Sequence, residues 1–137
     1  MPVLMKTATR LKILCVDDSP QLTAAFVKLI ALQPDMEPVG VLHRADGLAA
    51  EAARRRPDIV LLDLTMDGQD PLSALADMAK ADDRARVIVF TGVSDDKIID
   101  QAMEAGAWGY VDKTQDPGQV LDAIRRVAAG EVVLPRR

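Results

Sequence analysis

Two adjacent aspartates, Asp17 and Asp18, close the apolar run "KILCVDDS" at residues 12–19. Side by side, two carboxylates repel, and partial burial raises the cost of keeping both ionised. A positive partner is required there. A third carboxylate, Asp63, stands near the end of "DIVLLDL" (58–64), a hydroxyl, Thr91, near the end of "RVIVFTG" (86–92), and an ammonium, Lys113, at the end of "WGYVDK" (108–113). Clustered aspartates without His or Cys are hard oxygen ligands, suited to Mg²⁺ or Mn²⁺ rather than zinc. Mg²⁺ shares its octahedron readily with phosphate oxygens, so the set invites a phosphoryl group. Asp63 has the chemistry to accept that group as an aspartyl phosphate, with metal, hydroxyl and lysine stabilising the charge on the transferred group. Taken singly, each residue has a plainer explanation. An aspartate after a strand usually caps a helix or forms a turn, Lys113 alone would be a solvated charge, Thr91 a helix cap, and Tyr110 a half-buried edge-strand aromatic. Their joint placement argues for a site.

Such residues meet only if the strands that carry them share one edge. Apolar runs alternate with helical patterns five times, the rhythm of an α/β protein. The first strand is "LKILCV" (11–16). Ser19 and Pro20 supply an N-cap and first helical residue for a helix that buries Leu22, Phe26, Leu29 and Ile30. A weaker strand, "EPVGVLH", follows, then an Ala-rich helix from Gly47 to Arg56 that Pro57 terminates. The run 58–64 is apolar enough for a central parallel strand covered on both faces. Leu72, Leu75, Ala76 and Ala79 form the stripe of the third helix, and Ile98, Ala102 and Ala105 mark the fourth, which Gly106 can end. Val120, Leu121, Ile124, Val127 and Ala128 line the last helix, capped by Gly130. Right-handed crossovers place every strand's carboxyl end on one edge, where ligands bind in such sheets.

Length and charge narrow the field further. A chain of 137 residues with 49% hydrophobic content suits one compact domain. Net charge −4 is a poor footprint for nucleic acid or an anionic membrane. One cysteine, Cys15, excludes an internal disulfide, and a single histidine, His43, leaves no zinc set; both read as core or surface filler. The opening "MPVLMKTATR" has no signal-peptide pattern and no apolar run is long enough to cross a membrane, so a cytoplasmic location is expected.

The segments "VDDS" (16–19), "PDIVLLDLTM" (57–66), "VIVFTG" (87–92) and "AGAWGYVDK" (105–113) together resemble the four signatures of bacterial two-component response-regulator receiver domains. The tail "LDAIRRVAAGEVVLPRR" is similar to the last helix and linker of regulators of the NarL/LuxR type. The resemblance implies a flavodoxin-like receiver fold: a five-stranded parallel sheet ordered 2-1-3-4-5 with five helices on both faces. Residues 1–10 are then an N-terminal extension, 11–130 the receiver domain, and 131–137 a C-terminal tail or truncated linker. It also implies roles. Asp63 matches the phospho-acceptor, and Asp17 and Asp18 the acidic pair that holds Mg²⁺ with Asp63 and Thr65. Thr91 matches the switch hydroxyl, Tyr110 the switch aromatic, and Lys113 the phosphate-binding lysine. The expected partner is a sensor histidine kinase, with homodimer formation on phosphorylation as a further consequence. DNA is a partner only through an output domain that this chain does not carry. Two departures stand beside the acceptor: Asp67 and Pro71 in "DLTMDGQDPL", and Thr114 after Lys113 where many receivers have proline.

Other readings compete. A receiver-like interaction module working with little phosphorylation would not need the full set Asp17, Asp18, Asp63, Thr91 and Lys113. A phosphatase with an aspartate nucleophile usually carries a second aspartate two residues on, where this chain has Thr65. Flavin binding would need a Ser/Thr/Gly-rich loop after the first strand, and "DDSPQL" is not one. The expectation is a signalling domain that catalyses only its own phosphorylation and dephosphorylation.

Overall fold

A computed structural model describes residues 9–66, 70–81, 84–92, 95–113 and 116–135. Five strands, β1 (Leu11–Val16), β2 (Met36–Leu42), β3 (Ile59–Leu62), β4 (Arg86–Thr91) and β5 (Gly109–Asp112), alternate with five helices, α1 (Pro20–Ala31), α2 (Leu48–Arg55), α3 (Pro71–Lys80), α4 (Asp96–Glu104) and α5 (Pro117–Ala128). The strands pair in parallel in the order β2-β1-β3-β4-β5. The expected fold class is the one observed.

Because successive side chains in a strand point to opposite faces, the central strands feed two cores. Leu14, Val16, Val60, Leu62, Val87, Val89 and Tyr110 pack with residues of α2, α3 and α4. Ile13, Cys15, Ile59, Leu61, Ile88, Phe90 and Val111 pack with residues of α1 and α5. All four residues of β3 are buried, as its unbroken apolar run requires. On the α1/α5 side the Phe26 and Phe90 rings meet edge to face at 4.9 Å.

Three helices begin the same way, with an oxygen-bearing cap followed by proline. Ser19 Oγ accepts from Leu22 N, Asp70 Oδ1 from Leu72 N, and Asp116 Oδ1 from Gly118 N, with Pro20, Pro71 and Pro117 next in line. Proline suits the first helical turn, where its missing N–H would have no partner. Pro71, a departure in the loop pattern, is thus the start of α3. Gly106 (φ 116°) and Gly130 (φ 97°) take the left-handed conformations expected after α4 and α5. Two helical faces differ from expectation. In α3 the buried residues are Pro71, Ala74, Leu75 and Met78, rather than the stripe through Leu72, Ala76 and Ala79; in α4, Ile99 rather than Ile98 lies in the core beside Ala102. In both, runs of small or consecutive apolar residues let two neighbouring stripes fit the spacing, and the rotation of the helix on the sheet decides between them.

Two irregularities shape the sheet's margins. Pairing of β1 with β2 shifts between Ile13 and Leu14, skipping Val39, so that Val16 pairs Leu42 instead of Val41. Gly40 sits at this bulge with φ 153°, and a side chain there would collide with the Arg55 guanidinium, whose Nη1 donates to Val39 O at 2.9 Å. At the opposite margin the chain after α5 returns along β5: Val133 N donates to Trp108 O at 3.1 Å and Val133 O accepts from Tyr110 N at 2.9 Å. Arg86 secures that corner, donating from Nη1 to Val127 O at 2.8 Å while its guanidinium lies 4.3 Å from the Trp108 ring centre. No helix among the described residues is long and apolar enough to cross a membrane.

The α1/α5 core depends on Ile124, which is fully buried against the sheet. Ile124→Ala is expected to lower unfolding free energy by roughly 2–5 kcal/mol, measured by urea denaturation, with the folded far-ultraviolet dichroism retained.

Candidate functional site at the carboxyl edge

Strand order reverses between β1 and β3, since β2 lies on the far side of β1. At that point the chain leaves β1 into Asp17 and β3 into Asp63. Asp17 N donates to Leu42 O at 2.9 Å and Asp63 N to Val16 O at 3.0 Å, so both residues still belong to the sheet's hydrogen-bond lattice. Lys113 enters likewise, its N–H bonded to Thr91 O at 3.0 Å. The backbone therefore sets the side chains' origins before any side-chain contact is made.

The side chains converge. Lys113 Nζ donates to Asp63 Oδ2 at 2.9 Å and lies 2.6 Å from Asp17 Oδ2. The positive partner that the acidic pair demands is thus partly built in. Asp17 Oδ2 is buried, with the Lys113 ammonium as its ion-pair partner. Asp17 Oδ1 accepts from Ser19 N at 2.9 Å. Asp63 Oδ1 accepts from Thr65 N at 3.0 Å and Thr65 Oγ1 at 2.9 Å. Asp17 and Asp63 side chains are only 5% and 1% exposed, whereas Asp18 faces solvent. Carboxylate oxygens of Asp17, Asp18 and Asp63 lie within 4.8 Å of one another.

Electrostatics follow burial. Partial burial works against the Lys113 ammonium, but hydrogen bonds and charges from Asp17 and Asp63 outweigh it and hold its pKa above the ordinary 10.5. The Cys15 thiol, buried just beneath Asp17, is pushed up to about 12, first by burial and then by the Asp17 charge. Burial, then the charges of Asp112 and Asp95, raises the Tyr110 phenol above its usual 10.0.

The sequence-predicted residues that are described form two groups. Asp17, Asp18, Asp63, Thr65 and Lys113 make the acidic centre. Thr91 and Tyr110 are buried in β4 and β5, where the register pairs Thr91 with Asp112 and Val89 with Tyr110. Alternation therefore puts Thr91 and Tyr110 on the same sheet face, that of α4. Tyr110 is 1% exposed, a core residue rather than a half-buried aromatic on an open edge, because its side chain belongs to the cluster shared with α2, α3 and α4. Asp67 and Thr114 lie outside the described residues. One contact escaped the sequence reading: His43 Nδ1 lies 2.9 Å from Asp17 O. Its signal was its place, directly after β2 and so on the same edge as the aspartates.

A doubly wound parallel sheet with three carboxylates and a lysine at its switch point is a phosphoryl-compatible site on a flavodoxin-like frame. The chain belongs to the response regulator receiver domain family, whose model matches residues 13–125. It is 34% identical over 122 residues to the nitrate/nitrite response regulator protein NarL of Escherichia coli, covering 89% of this chain and 56% of that protein. To the response regulator protein VraR of Staphylococcus aureus it is 31% identical, covering 90% of this chain and 59% of that one. The chain thus spans less than two thirds of the length of these relatives. Among solved structures, a two-component response regulator of the LuxR family from Aurantimonas superimposes with a TM-score of 0.85 at 31% identity, covering 91% of this chain and 89% of that one. The signal receiver domain of NarL from Mycobacterium tuberculosis matches in fold with the same TM-score at 23% identity, over 90% and 99% of the respective chains.

Two outcomes test the electrostatics. Lys113→Met removes the charge shared by two buried carboxylates and is expected to be less stable than wild type. A group whose folded pKa is raised contributes its stability below the unfolded value and loses it above. The stability difference between wild type and Lys113→Met should therefore be constant near neutral pH and shrink as pH rises past 10.5, in denaturant titrations of both proteins. Cys15 should be inert to an aromatic disulfide reagent in the native protein at neutral pH and fully reactive after unfolding.

Proposed function

We propose that this chain is the phospho-accepting domain of a two-component signalling system, in which Asp63 receives a phosphoryl group from the phosphohistidine of a sensor kinase. The observation that carries the reading is Asp63 itself: a carboxylate 1% exposed, at the end of the central strand, with Lys113 Nζ at 2.9 Å and carboxylate oxygens of Asp17 and Asp18 within 4.8 Å. An aspartate in a fold of this kind is rarely buried with its charge unless that charge is used.

The donor set suits a divalent cation. Three hard carboxylates outnumber the one ammonium among them, and the buried Asp17 Oδ2 has to share that ammonium with Asp63. Asp17, Asp18 and Asp63 would hold Mg²⁺ or Mn²⁺, with Thr65 beside them. The cation supplies charge neutralisation for phosphate oxygens and a template for their alignment. Thr65 anchors one Asp63 oxygen through its N–H and hydroxyl, which fixes the carboxylate's orientation. An Asp63 oxygen attacks phosphorus, the bond from phosphorus to the donor breaks, and the donor leaves with the electron pair. Lys113, already bound to Asp63, stays with the new phosphoryl oxygens as a charge-assisted donor. The chain catalyses this step on itself and turns over no separate substrate.

Output runs through the α4 face. A phosphoryl group at Asp63 draws the Thr91 hydroxyl, and Tyr110 on the same face responds, remodelling the surface of α4, β5 and α5. A ligand shifts such an equilibrium only by its differential affinity for the two states. Control of transcription through a DNA-binding output domain is supported by kinship with regulators such as the transcriptional regulatory protein LiaR of Bacillus subtilis; homodimer formation on phosphorylation belongs to the same proposal. A cytoplasmic site of action fits the same kinship.

Intact mass after incubation with a small phosphodonor and Mg²⁺ tests the acceptor. Wild type should gain one phosphoryl group and Asp63→Asn none; labelling of the variant to the wild-type extent would refute the assignment. Thr91→Ala should still be labelled but lose the nuclear magnetic resonance shifts around Tyr110 that accompany labelling in wild type. Equal shifts in both would sever Thr91 from the output.

A further inference from the structure

We infer that His43 is a positioning residue for the acidic pair: its Nδ1–H holds the Asp17 carbonyl and so sets the direction in which Asp18 presents its carboxylate to a divalent cation. This role rests on the reading of the edge as a metal-dependent phospho-acceptor site and adds a residue to it.

The contact is a product of the β1–β2 register. The bulge at Gly40 moves the pairing on by one residue of β2, so that Val16 pairs Leu42 and Asp17 N donates to Leu42 O at 2.9 Å. The next residue, His43, reaches back with Nδ1 2.9 Å from Asp17 O. Two successive residues of one strand end therefore hold both backbone polar groups of Asp17. A carbonyl oxygen only accepts, so Nδ1 carries the proton.

What this bond controls is a peptide plane. The Asp17 carbonyl belongs to the peptide that links Asp17 to Asp18, and rotating that plane swings the origin of the Asp18 side chain. Asp17's own carboxylate is fixed independently by Ser19 N and Lys113. Asp18 is exposed, so its direction is set by backbone rather than by packing. His43 is itself exposed, and a surface histidine that only decorated the loop would have no reason to aim its donor at this one carbonyl. Hydrogen bonds one layer out from a metal site orient the ligands and tune affinity.

The test compares wild type, His43→Ala, His43→Asn and His43→Gln in two measurements. One is calorimetric titration with Mg²⁺; the other is hydrogen exchange of the Asp18 and Ser19 amides in metal-free protein. Asparagine places its side-chain N–H₂ the same number of bonds from the backbone as histidine Nδ1, whereas glutamine places it one bond further. His43→Ala and His43→Gln should bind Mg²⁺ roughly tenfold more weakly, with His43→Asn back to within about twofold of wild type. Exchange at Asp18 and Ser19 should quicken in the first two and recover in the third. Unchanged affinity and exchange in His43→Ala overturn the role. So does failure of His43→Asn to recover, or a change confined to the unfolding midpoint. Should wild type bind no Mg²⁺, the metal-site reading falls, and His43's hold on Asp17 is then decided by exchange, where protection equal to wild type in His43→Ala overturns it.

Discussion

Two carboxylates almost wholly withdrawn from water, those of Asp17 and Asp63, share one ammonium, that of Lys113. Buried charges are tolerated only when paired and hydrogen-bonded, and even then the desolvation cost can exceed the attraction. The arrangement is therefore not a source of stability that the fold would select for its own sake. It persists because β1, β3 and β5 deliver the three residues from backbone positions that are themselves locked into the sheet, while two packed cores hold the strands in place. Asp18 adds a third negative charge at the rim, so the centre keeps a surplus of negative charge that a divalent ion is suited to meet.

That electrostatic centre and the two cores are connected by strand alternation. Residues one position apart on β4 and β5 face different layers, so Phe90 and Val111 belong to the α1/α5 side while Val89 and Tyr110 belong to the α4 side. Thr91 and Tyr110 share a face for the same reason. The α1/α5 layer is anchored by Phe26, Phe90 and Ile124.

Much of this was legible in the chain's residues. Five apolar runs with helical patterns between them determine an α/β sheet, and the polar residue that closes each run marks the carboxyl edge. Asp17, Asp18, Asp63, Thr91 and Lys113 could be assembled that way because each interrupts an apolar pattern. His43 closes the β2 run in the same way, but as the only histidine, after a strand with little buried surface, it reads as surface filler. The exact faces of α3 and α4 were hidden by adjacent apolar residues such as Ile98 and Ile99. The burial of Tyr110 was illegible for a different reason. It depends on packing into the cluster that holds Ile99 and Ala102 of α4, which the four residues of β5 do not announce.

The segment that returns along β5 after α5 also bears on how the molecule behaves in a crowd. An open parallel sheet has two unpaired margins, each a template on which another chain could add a strand. On β2 the margin is blunted by Pro38 and by the bulge. On β5 the backbone groups of Trp108 and Tyr110 are occupied by Val133. A foreign strand could add there only by first displacing the segment around Val133, so a stretch that contributes little to either core blocks edge-to-edge pairing at this margin.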